Sequence, residues 1–101
     1  MMGGGFTDTI REDRRGCILR IILDQNGFVV NEGALQDALQ MKGHTVARDV
    51  VKGDLSWLEE QGLVSVEHER TVLLARLTQR GDDVASGRSR VPGVKRPSPG
   101  T

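Results

Sequence analysis

Arg48 and Lys52 stand four residues apart in a stretch of helical periodicity, with Thr45, Asp49, Gly53 and Ser56 at neighbouring spacings of three and four. On a helix these positions share one side, opposite Val51, Leu55 and Leu58. A guanidinium is a planar fork that fits O6 and N7 of guanine. An ammonium meets a base or a phosphate, a serine hydroxyl reaches phosphate, and a glycine lets a backbone approach closely. Such a face offers recognition of double-stranded DNA in the major groove. The competing reading is a solvated helix face of neutralised charge, because Arg48 sits beside Asp49 and Lys52 lies near Asp54 and Ser56.

Two further groups carry the same chemistry more weakly. Glu67-His68-Glu69-Arg70-Thr71 reads as a hairpin tip in which Arg70, helped by His68, offers positive charge to a minor groove or to phosphates. Glu67 and Glu69 oppose that role, and an ordinary hairpin tip is the slightly favoured alternative. Arg88, Arg90, Lys95 and Arg96 lie among all three prolines of the chain, with no acid between them. Basic arms of this kind add phosphate contacts, and four contacts would give a salt slope of up to about −3.6. A solubilising tail, or one that docks on a partner protein, is the alternative.

Other chemistry finds little support. There is no Ser-His-Asp order, no paired-carboxylate motif and no phosphate loop, since Gly3-Gly4-Gly5 follows no strand. No catalytic residue is expected, and the chain is not expected to be an enzyme. Cys17 is the only cysteine, which excludes a disulfide framework and a Cys-based zinc site. It lies in an apolar helical run and reads as a small buried hydrophobe. His44, His68 and Cys17 match no ligand spacing. Neither a metal, a cofactor nor a small-molecule effector is implied. Aromatics are only Phe6, Phe28 and Trp57, which argues against base-stacking platforms.

The elements that must position these residues follow from periodicity and punctuation. The chain has 101 residues, enough for one small domain. Residues 1–7 read as a flexible leader. Thr7-Asp8 caps a first helix that runs to Leu23, with Ile10, Cys17, Ile18, Ile21 and Ile22 on one stripe and Gly16 as a weak spot. Asn26-Gly27 is a turn, and Phe28-Val29-Val30 is extended. Asn31 caps a second helix from Glu32 to Lys42, which Gly43 closes. His44-Thr45-Val46 links it to helix three, from about Ala47 to Gln61, with Ala47, Val50, Val51, Leu55 and Leu58 inward and Gly62 at its end. Leu63 to Val66 and Thr71 to Leu77 read as two strands, and Thr78 caps a short last helix ending near Gly87. Residues 87–101 lack the apolar content for a core and read as a flexible basic tail.

The order helix, short strand, helix, helix, strand, strand, helix predicts an α+β, mainly α, winged helix-turn-helix over residues 8–86. Its parts are a three-helix core, a two- to three-stranded hairpin wing and a short C-terminal helix.

Specific wording carries a resemblance. Asp54-Leu55-Ser56-Trp57-Leu58-Glu59-Glu60-Gln61-Gly62-Leu63-Val64 resembles the end of the recognition helix in winged-helix regulators of the ArsR, MarR and PadR kind. Leu77-Thr78-Gln79-Arg80-Gly81 resembles their junction from strand to last helix. With Val46-Ala47-Arg48-Asp49-Val50 and the stretch from Gly87 to Pro97, the chain is similar to small ArsR-like proteins of Mu-like phages and prophages over about residues 10–97. The resemblance implies DNA binding in transcription regulation, in the cytoplasm of a bacterial host. It does not imply metal sensing: helix three lacks the paired cysteines of metal sensors, and the last helix offers only Asp82 and Asp83. A protein-interaction module in phage assembly is the alternative function. A homodimer would form through helix one and the last helix, with surface around Ile10, Arg14, Val84 and Ala85, and would read half-sites about one DNA turn apart.

The formal net charge is zero, but residues 1–86 hold all 14 acids and ten of the 14 bases, while residues 87–101 hold four bases and no acid. An acidic body with a basic arm binds DNA through a local face or the arm, not by bulk charge. No apolar run approaches the ~18 residues of a membrane span, and no secretory signal is visible.

Overall fold

A computed structural model describes residues 5–97. It is α+β and mainly helical: α1 (Gly5–Leu23), a 3-10 turn at Asn26–Phe28, β1 (Val29–Asn31), α2 (Glu32–Met41), α3 (Arg48–Glu60), β2 (Val64–Glu69), β3 (Val72–Leu77) and α4 (Gln79–Ala85). The three strands form one antiparallel sheet in the order β1-β3-β2. This arrangement is consistent with a winged helix. No helix among the described residues is long and apolar enough to cross a membrane.

Local chemistry sets the helix ends. The Asn31 side chain accepts from the Ala34 amide at 2.8 Å, and the Thr78 hydroxyl accepts from the Gly81 amide at 3.0 Å. Each satisfies one of the donors that a helix start leaves unpaired. At the close of α2 the His44 amide reaches back to the Leu39 carbonyl, and after α3 the Leu63 amide reaches the Leu58 carbonyl. At both places the chain turns through a glycine of positive φ, Gly43 and Gly62.

The core is built from the second half of α1 (Ile18, Leu19, Ile22), from Leu35 and Leu39 of α2, and from Val51, Leu55 and Leu58 of α3. Leu63, Val64 and Ala75 close it from the sheet side. Val30 and Val66 both lie opposite Ala75, so the sheet meets the helices over its central strand. Gly81 sits where α4 crosses the carbonyl of Leu63; a Cβ there would come within 2.0 Å of that oxygen.

Several expectations are corrected. Gly5, Phe6 and Thr7, read as leader, already belong to α1, while residues 1–4 lie outside the described residues. Ile10, placed on the buried stripe, is exposed together with Phe6, because α1 enters the core only from Gly16 onward. Ala47, placed inward, is the exposed cap residue of α3. The hairpin is longer than its alternation indicates: Glu67, His68 and Glu69 pair with Leu74, Leu73 and Val72, and the turn is Arg70-Thr71 alone. Glu67, His68 and Glu69 are all exposed, so the strand loses its side-chain alternation while its backbone ladder continues.

The largest correction concerns the tail. Residues 88–97, read as a flexible arm, lie against α1 and α3. Val91 is buried, and Val94 packs against the core. The Lys95 amide donates to the Glu12 carbonyl at 3.1 Å, and Arg15 Nη1 donates to the Gly93 carbonyl at 3.2 Å. Two glycines make the close fit: a Cβ at Gly93 would come within 2.8 Å of the Trp57 ring, and one at Gly16 within 2.9 Å of the Lys95 carbonyl. Composition points to disorder because the segment has few apolar residues, but two valines and backbone contacts suffice to hold it. Residues 98–101 lie outside the described residues.

The surface expected for a homodimer is not available as drawn. Val84 and Ala85 are buried in the core, and Arg14 is engaged by Asp54.

Candidate nucleic-acid interface

Helix α3 presents Arg48, Asp49, Lys52, Gly53 and Ser56 outward, and Thr45 is exposed in the turn before it. Val51, Leu55 and Leu58 anchor the opposite side at no more than 1% exposure, which fixes the rotation of the helix. The two acids near Lys52 and Arg48 part company. Asp49 stays outside with the cations, whereas Asp54 turns inward and is 5% exposed, so it does not neutralise the outer face.

Both cations of α3 lean onto the first turns of α2. Arg48 Nε donates to Gln36 Oε1 at 2.8 Å, and Gln36 Nε2 donates to the Val46 carbonyl at 3.0 Å. Lys52 Nζ lies 3.9 Å from Glu32 Oε2, with half of the lysine side chain exposed. Glu32 is itself buried: Oε1 accepts from the Leu73 amide at 3.4 Å, and Oε2 has no hydrogen-bond donor among the described residues. The partners of Arg48 and Lys52 both stand on α2, 12 and 20 positions away in the sequence, where the periodicity of α3 carries no signal of them.

Behind the face, a buried charge cluster ties α3 to α1. Arg14 donates to Asp54 through both Nε and Nη2, and Arg15 Nε lies 3.7 Å from Asp54 Oδ1. The Arg15 guanidinium also stacks 3.9 Å from the centre of the Trp57 ring. Burial pulls Arg15 down from its ordinary value, against the opposing pull of Asp54. Asp54 is one residue the sequence reading misplaced, although it shares a helical stripe with Val51 and Leu58.

The remaining candidates divide. His68 and Arg70 are exposed at the end of the hairpin. Arg70 holds φ at +60°, a conformation that costs a non-glycine residue about 1–3 kcal/mol. In the tail, Arg88 is committed to Asp82 and Asp83, both at 3.1 Å. Its hydrogen bond to Asp83, with the charge of Asp82, holds it above its usual range. Lys95 Nζ lies 3.4 Å from Asp13. Arg90 and Arg96 are exposed and pair with no carboxylate among the described residues. The structure therefore brings Arg48, Asp49, Lys52, Gly53 and Ser56 together on one face, and it sets Arg88 and Lys95, each still more than half exposed, beside acids of the same chain.

Asp13 joins three elements, since its carboxylate also takes a hydrogen bond from His44 Nε2 at 2.8 Å. Burial pushes its pKa up, but the hydrogen bonds from His44 and Lys95 outweigh burial, and the carboxyl sits below its ordinary value. A lowered carboxyl pKa adds stability that is present above the unfolded value, about 3.9, and is lost as pH falls through the folded value. Urea titrations near neutrality and below pH ~4 are expected to show a larger acid loss for the wild type than for Asp13→Asn.

Cys17 is buried, and burial pushes its thiol up from the ordinary value, away from the reactive thiolate. Among the described residues no three His, Cys, Asp or Glu side chains converge on a common point.

No protein-family model matches the chain. It is 54% identical over 94 residues to uncharacterized protein gp26 of Escherichia phage Mu, covering 93% of this chain and 97% of that protein. It is 41% identical over 76 residues to an uncharacterized protein of Haemophilus influenzae, covering 74% of each. Among solved structures, the complex structure of hsRosR-S1 is similar in fold, with a TM-score of 0.64 and 17% identity over 79% of this chain and 70% of that one.

Proposed function

The chain belongs to the family of phage Mu gp26, and from that premise we propose that it is a winged-helix DNA-binding protein of phage or prophage origin, acting as a transcriptional regulator in the cytoplasm of a bacterial host. In this reading α3 enters the major groove, with the hairpin and tail cations on the backbone. It has no catalytic step and needs no metal, cofactor or small-molecule effector. The observation that carries it is the open face of α3, where Arg48, Lys52 and Ser56 stand exposed beside a hairpin that ends in Arg70.

The division of labour follows from side-chain chemistry. Arg48 is suited to a base edge and Lys52 to a phosphate, because an ammonium is a point charge without a fixed plane. Fluorescence anisotropy with duplexes from the phage's own upstream regions and with random duplexes tests this. Lys52→Ala is expected to weaken all duplexes alike and to reduce the salt slope by about 0.9. Arg48→Ala is expected to lower the preference for the best duplex. Absence of wild-type binding to any duplex at low salt would overturn the proposal.

The alternative, a protein-interaction module in phage assembly, is favoured by one observation. Asp49 shares the outer face, and Glu32 stands within reach of Lys52, so the face carries little net positive charge. It predicts no duplex binding with the fold intact.

A further inference from the structure

Arg48 is held before any ligand arrives. Its Nε is bonded to Gln36 Oε1 at 2.8 Å, and the same amide is anchored from its other end, Nε2 to the Val46 carbonyl at 3.0 Å. The amide has only one orientation that satisfies both neighbours, since a guanidinium can only donate and a carbonyl can only accept. Val46 belongs to the turn between α2 and α3, so the buttress is fastened to the backbone that sets the angle between those helices. The guanidinium itself lies over the first turn of α2, beside Gly33. Arg48 remains exposed. With Nε occupied, its other four N–H donors sit on the two terminal nitrogens.

A phosphate contact gains little from such a fixture, because charge attracts from many directions. A bidentate contact to a base edge gains much, because both terminal nitrogens must meet two acceptors in one plane. Holding the fork ready lowers the ordering cost of binding and narrows the poses available to it. We infer that Gln36 is a positioning residue that presets Arg48 for paired hydrogen bonds to guanine O6 and N7, so that the preferred duplex carries a G·C pair opposite Arg48. The inference rests on the DNA-binding reading of α3 and adds to it the base recognised and the residue that enforces the choice. Lys52 has no comparable fixture. Its neighbour Glu32 stands at 3.9 Å and offers no planar register.

The test separates discrimination from attraction. The wild-type chain is used to select duplexes from a randomised pool. The best duplex is then compared with one in which each guanine in turn is replaced by 7-deazaguanine, which lacks the N7 acceptor. Binding is measured for wild type, Gln36→Ala and Gln36→Met, the last keeping the side-chain volume without its hydrogen bonds, with thermal unfolding of each variant alongside. For wild type, one replacement is expected to weaken binding by about 5- to 150-fold. In both Gln36 variants that ratio is expected to fall toward one, while affinity for random duplex and the salt slope stay unchanged, because the charge of Arg48 is kept. Full discrimination in folded Gln36 variants, or equal loss on every duplex, would overturn the positioning role. A wild type that binds duplexes with no guanine preference would overturn the inference and leave DNA binding standing. A wild type that binds no duplex would remove both.

Discussion

Asp54→Ala is expected to destabilise the fold by about 3–5 kcal/mol, the cost of leaving buried partners of an ion pair uncompensated. Asp54 is 5% exposed, and it faces two arginines whose side chains are only 12% and 13% exposed. Arg14 spends two donors on it; Arg15 faces it from one side while stacking on Trp57 and bonding the Gly93 carbonyl. Alanine leaves the two like charges of Arg14 and Arg15 side by side between α1 and α3 without the carboxylate that both face. Forming such a cluster need not stabilise a protein relative to an apolar replacement, but breaking it from one side does cost stability. Asp54→Asn keeps the shape and an acceptor, so a smaller loss of about 1.5–3 kcal/mol is expected, the scale of a hydrogen bond to a charged group. Urea unfolding reads both. A midpoint for Asp54→Ala that moves no more than an ordinary surface substitution, within about 0.5 kcal/mol, would show that the cluster does not hold α1 to α3.

Asp54 also marks where the sequence is legible and where it is not. A carboxylate three residues after Val51 and four before Leu58 falls on the apolar stripe, so its inward position is written in the helical period. What the period does not name is the partner, because Arg14 stands 40 positions away. The same holds for Gln36 and Arg48, which meet across a turn, and for Glu32 with Leu73. Punctuation by contrast is local, and Asn31, Gly43, Gly62 and Thr78 mark element ends as their chemistry predicts. Gly16 and Gly81 look like weak spots in isolation. Each is a contact point, one under the Lys95 carbonyl and one under the Leu63 carbonyl. A glycine inside a helix thus announces either a flaw or a neighbour, and only the fold distinguishes them.

Truncation after Gly87 is expected to cost about 2–4 kcal/mol of stability, although composition alone assigns that segment to solvent. The estimate follows from burial: a valine such as Val91, taken fully out of water, is worth about 1.5–3 kcal/mol. Val94 and the cover over Trp57 add to it. Charge works in the same direction. The basic arm lies on the acidic body, with Lys95 at Asp13 and Arg88 at Asp82 and Asp83, so the opposed charges of the two segments meet within one chain. Deleting the arm therefore mixes a folding effect with any loss of phosphate contacts. Two substitutions separate them. Gly93→Val drives a side chain into the Trp57 ring and loosens the segment with all four cations retained; it is expected to lower the urea midpoint. Arg90→Ala combined with Arg96→Ala removes, from a segment that stays docked, the two cations that pair with no carboxylate among the described residues. It is expected to leave the midpoint in place and to reduce the salt slope of duplex binding by up to about 1.8. If the truncated chain unfolds at the wild-type urea concentration, the docked segment contributes nothing to the stability of the fold.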